Sequence, residues 1–88
     1  MQVKQPLGDT AMHLAARRRD NNLMKTLIEA GAQVDMQNTE GQTVLHLACI
    51  QGDENGIRVL FMAKANASIA DNKDRTPIQL AAERGFAR

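Results

Sequence analysis

The chain has 88 residues, a formal net charge of +1, 43% hydrophobic and 24% charged residues, a composition that excludes a disordered or fibrous polypeptide. A single cysteine excludes an internal disulfide and fits a reducing compartment. The balanced charge gives no argument for nucleic acid or anionic lipid as a partner. No apolar run approaches the roughly 20 residues that a membrane helix needs, so no direct membrane insertion is expected. The length allows one small domain. Phe61 and Phe86 are the only aromatic residues, so its core must come from Leu, Ile, Val, Met and Ala. Such side chains suit close helix packing.

The opening residues, MQVKQPLGDT, contain no apolar signal core; residues 1–7 read as half of a hairpin. Thr10 then precedes a short helical pattern and suits its N-cap, with its hydroxyl placed to accept from the backbone N–H of His13. Arg17-Arg18-Arg19 follows where this helix ends. A cation there is favourable at a helix C-terminus, and an alternative role is a local basic patch for an acidic partner. A second helix is predicted over 22–30, with Leu23, Met24, Leu27 and Ile28 apolar and Gly31 ending it. A polar hairpin spans 32–41.

The middle of the chain repeats this order. Thr43 caps a helix predicted over 44–51, with Leu45 and Leu47 in the core and Ala48 small at the helix–helix contact. Gly52 suits a left-handed C-cap. The next helix is predicted over 54–63, with Ile57, Leu60 and Phe61 apolar. Gly56 lies early in it, where glycine costs about 0.5–1 kcal/mol relative to alanine, so this helix reads as a soft point. A second hairpin spans 65–74. Thr76 and Pro77 begin a last helix, proline being well suited to a first helical position.

GDTAMHLAA from Gly8, GQTVLHLAC from Gly41 and DRTPIQLAA from Asp74 align without a gap. Thr10, Thr43 and Thr76 recur at steps of 33, as do Leu14, Leu47 and Leu80, and Ala15, Ala48 and Ala81. That period and the T-P-L-H-x-A-like segments resemble the ankyrin repeat. The resemblance implies an all-α repeat fold, a solenoid of helix-turn-helix units joined by β-hairpin loops. About two and a half repeats are expected, over 8–40, 41–73 and 74–88, as a fragment of a longer array. Without further repeats such a fragment is expected to be marginal or to self-associate.

His46, Cys49 and Asp53 share one helix face and offer the pattern of a metal or nucleophile site. The repeat argues otherwise, because the same columns read His13, Ala16 and Asp20 in the first unit and Gln79, Ala82 and Phe86 in the third. No catalytic constellation, metal site or cofactor site is therefore expected. The ankyrin resemblance implies that His13 and His46 join a hydrogen-bond network with their threonines and the adjacent hairpin.

It also implies a protein partner bound by hairpin tips and first-helix faces. The matching residues are Met36, Gln37, Asn38, Thr39 and Glu40 in one hairpin and Ala70, Asp71, Asn72 and Lys73 in the next. On the helices they are Arg17, Arg18, Ile50, Gln51, Glu83 and Arg84. The column Arg17, Ile50, Glu83 suggests that Ile50 is exposed. A narrower resemblance lies in M-H-L-A-A-R-R-R-D, E-G-Q-T, A-S-I-A-D-N-K-D-R-T-P and L-A-A-E-R-G. These are similar to part of the repeat array of NOMPC-type (no mechanoreceptor potential C) mechanosensitive TRP channels. That likeness implies a cytoplasmic segment acting as tether or spring between a cytoskeletal partner and a channel gate. The alternative is an adaptor or inhibitor that captures a soluble protein.

Overall fold

The computed structural model describes residues 8–83. They form five helices, α1 (Ala11–Arg17), α2 (Asn21–Glu29), α3 (Val44–Gln51), α4 (Glu54–Met62) and α5 (Pro77–Glu83), with no strand among the described residues. Helices α1, α3 and α5 pack side by side as an inner row, and α2 and α4 pack on each other behind α1 and α3. This is an all-α repeat architecture.

Position in the stack explains composition. Helix α3 lies between α1 and α5 and under α4; it buries Val44, Leu45, His46, Leu47, Ala48 and Cys49, so it is apolar nearly all round. Helices α2 and α4 face water on one side and bury only Met24, Gly56 and Leu60 fully. Each fully buried Leu or Met is worth about 1.5–3 kcal/mol. Ala15, Ala16 and Ala48, all buried, keep the inner helices close. Met12 and Met24 belong to this core, whereas Met36 and Met62 are exposed.

The helix starts share one device. Thr10, Thr43 and Thr76 each accept from the backbone N–H three residues on, at 3.4 Å. The outer helices use aspartate instead: Asp20 accepts from Leu23 N–H and Asp53 from Gly56 N–H. A Cβ on Gly56 would lie 2.6 Å from Asp53 Oδ2, an atom that also accepts from Asn21 of α2. Glycine thus leaves room for a cap that ties two helices together, and this part of α4 is closely packed rather than soft.

Three columns require a left-handed backbone. Gly52 and Arg19 follow the inner helices with φ of 66° and 55°, Gly31 and Lys64 follow the outer ones with 92° and 64°, and Gly8, Gly41 and Asp74 open the Thr-capped segments with 70°, 76° and 64°. The connecting loops are fingers closed by one backbone rung each, Asn38 N–H to Gln42 O and Asp71 N–H to Arg75 O. The β-hairpins expected from resemblance are reduced to these single rungs. Side-chain oxygens of Asn38 and Asp71 take the next backbone donors, so no ladder extends.

Candidate functional site

The histidine column is the strut between successive units. The backbone N–H of Thr10 donates to His13 Nδ1 at 3.1 Å, and that of Thr43 to His46 Nδ1 at 2.9 Å. With Nδ1 accepting, the ring hydrogen sits on Nε2. From there His13 donates to Gln42 O at 2.8 Å and His46 to Arg75 O at 2.9 Å. Each carbonyl also accepts its finger's rung, so both lone pairs are used. In the third unit Gln79 Oε1 reproduces only the local part, accepting from Thr76 N–H at 2.8 Å.

His46, Cys49 and Asp53 therefore offer no open ligand set. Both His46 nitrogens are engaged, and the Asp53 carboxylate holds Gly56 and Asn21. Burial pushes the Cys49 thiol up to about 11, so it stays protonated. Among the described residues no group of three His, Cys, Asp or Glu is placed to hold a metal ion, and no helix is long and apolar enough to cross a membrane.

Many of the residues matched to the binding face hold the fingers together. Gln37 donates to Gly41 O at 2.9 Å and to Ala70 O in the next finger at 3.2 Å. Asn72 donates to Thr39 O from its side chain and to Glu40 O from its backbone. Gln51 reaches back to Arg17 O at 3.3 Å. Arg75 meets Asp71 at 3.2 Å and Glu83 at 3.3 Å.

Four surface assignments change. Asn38 and Asp71 are each only 7% exposed, because their side chains are spent inside the finger turns. Ile50 is half-buried against the core instead of exposed. Arg17 does not stand free but pairs with Asp9 at 2.6 Å. Arg84 lies outside the described residues.

Sequence reasoning missed Asp9. Its carboxylate holds Arg17 and accepts from Asn38 Nδ2 at 3.0 Å, linking the first inner helix to the following finger. An acid immediately before a Thr cap and eight residues before an arginine was the available signal. Burial works to raise the Asp9 carboxyl, but hydrogen bonds from Arg17 and Asn38 and the Arg17 charge hold it below the usual carboxylate range. At Asp71 burial is likewise outweighed, by the backbone N–H groups of Arg75 and Lys73 and by the Arg75 charge.

What remains on the finger-and-inner-helix face is compact. Met36 is exposed, and the Arg18, Glu40 and Lys73 side chains are exposed with no ion pair among the described residues. Glu40 and Lys73 occupy one column with opposite charge. A mixed-sign face with an apolar contact suits a protein surface better than a polyanion.

A family model described as ankyrin repeats (3 copies) matches residues 1–71. No curated protein matches the chain.

Proposed function

The chain belongs to the ankyrin-repeat family, and from that premise we propose that it is a non-catalytic docking platform that binds a protein partner through Met36, Glu40, Lys73 and Arg18. What supports this reading is the division of labour on one face. Gln37, Asn38, Asp71, Asn72 and Arg17 are occupied in holding the fingers, which leaves these four side chains free to meet another molecule. A rigid scaffold also spares a partner the ordering cost of flexible loops. The test is a photocrosslinking amino acid placed at 36 or 73, with 58 on α4 as control. A discrete adduct from 36 and 73 alone supports the platform; equal labelling from 58 contradicts it.

A second reading is a force-bearing segment, the cytoplasmic tether or spring of a mechanosensitive cation channel, pulling on a cytoskeletal partner. Its support is the likeness of A-S-I-A-D-N-K-D-R-T-P to such arrays, together with polar links that tie each unit to the next, Asn21 to Asp53 and Gln37 to Ala70 O among them. Single-molecule pulling separates the two. A tether segment extends reversibly and re-forms its links on release; abrupt irreversible loss of structure at low force favours the adaptor.

A further inference from the structure

Ile78 of α5 is 59% exposed, although Met12 and Leu45 in the same column are each 1% exposed. Met12 and Leu45 lie on inner helices that pack against the second helix of their own pair, α2 and α4. Among the described residues α5 has no such helix behind it. The result is an apolar groove lined by Leu45, Ile57, Phe61, Pro77, Ile78 and Ala81. Phe61 is 48% exposed and Met62 80% exposed at its edge, so the groove runs on across the outer face of α4. Soluble monomers rarely leave contiguous apolar surface of this kind uncovered.

We propose that this face binds the same face of a second copy of the chain in a two-fold dimer. Charge favours that occupant. Glu54 and Arg58 stand one turn apart on α4, on the same surface as Ile57, Phe61 and Met62, and neither makes an ion pair among the described residues. In an antiparallel crossing of two α4 helices, each Glu54 meets the partner's Arg58, so the patch is complementary to itself, as an isologous contact requires. A net charge of +1 opposes the approach of two copies only weakly.

The test is sedimentation velocity on the 88-residue chain, from roughly 1 to 100 µM. The wild type forms a dimer in a concentration-dependent way. Ile78→Glu, at an exposed position, gives a monomer with an unchanged helical circular dichroism spectrum. Glu54→Arg weakens the dimer by more than about tenfold, and the swap E54R/R58E restores it. Met36→Glu leaves it intact. A wild-type monomer throughout that range overturns the proposal and leaves the groove for a different partner. A dimer that survives Ile78→Glu, or a charge swap that fails to recover association, also overturns it.

Discussion

Arg19 holds the backbone shape that Gly52 holds one repeat later, with φ of 55° against 66°. In both places the following aspartate N–H closes the turn on the carbonyl five residues back, Asp20 on Ala15 and Asp53 on Ala48. For an L side chain this conformation costs roughly 1–2 kcal/mol, partly offset by the greater freedom that glycine gives the unfolded chain. Arg19→Gly should therefore stabilise by about 0.5–1 kcal/mol, a rise of a few degrees in melting temperature. A lower melting temperature contradicts the assignment of strain.

Gly41 carries a second demand that Gly31 lacks. A Cβ at 41 would lie 2.7 Å from the backbone nitrogen of Asn72 in the next finger, whereas nothing lies within 4 Å of one at 31. Both positions have positive φ. Gly31→Ala should cost only the conformational strain, about 1 kcal/mol. Gly41→Ala must also push two fingers apart and should cost at least about twice that. Equal effects in urea denaturation would show that the fingers are not in close register.

Replacing His46 by the residue that the third unit uses isolates the strut. His46→Gln keeps an acceptor for Thr43 N–H, as Gln79 does for Thr76, and loses the bond to Arg75 O. Because that carbonyl keeps its rung from Asp71, the expected loss is modest, about 1–2 kcal/mol. Chemical denaturation measures it. An unchanged midpoint would mean that the ring contributes volume only.

Asp9 and Asp71 make the fold acid-sensitive. Their folded carboxyls are held below the ordinary range, so their contribution is complete above the unfolded value near pH ~4. It is lost as pH falls through the lowered folded values. Melting temperature should be flat from neutral pH to about pH 5 and then decline. Asp71→Asn keeps the acceptor for the N–H groups of Lys73 and Arg75 and should shallow that decline. Asn38→Asp, in the equivalent position, sets a second carboxylate beside Asp9 and should destabilise at neutral pH. A pH profile unaltered by Asp71→Asn would remove the carboxylate from this role.

The helices, their Thr caps and the left-handed columns were legible in sequence because each is a local demand. A capping oxygen, a positive φ and an apolar spacing are set within a few residues. Asn38, Asp71 and Asp9 were not legible in that way. Asn38 and Asp71 look like surface residues until the finger folds over them, and Asp9 acquires its meaning from Asn38 of the following finger. Ile50 was misjudged for the same reason, since its neighbours in the column, Arg17 and Glu83, are exposed while it packs on the core. Gly56 read as a weakness because the Asn21 to Asp53 bond that it makes room for crosses from one repeat to the next. The period predicts which residues are equivalent; it does not say what the adjoining unit presses against each of them.

Order borrowed from neighbours should be graded by the number of neighbours. Helix α3 touches α1, α4 and α5, whereas α1 and α5 have fewer described partners. Native-state amide hydrogen exchange tests this most directly. The N–H groups of Leu47 to Gln51 should exchange slowest in the molecule, with those of α1 and α5 opening earlier. If the α3 amides exchange no more slowly than those of α5, stacking is not the source of the order.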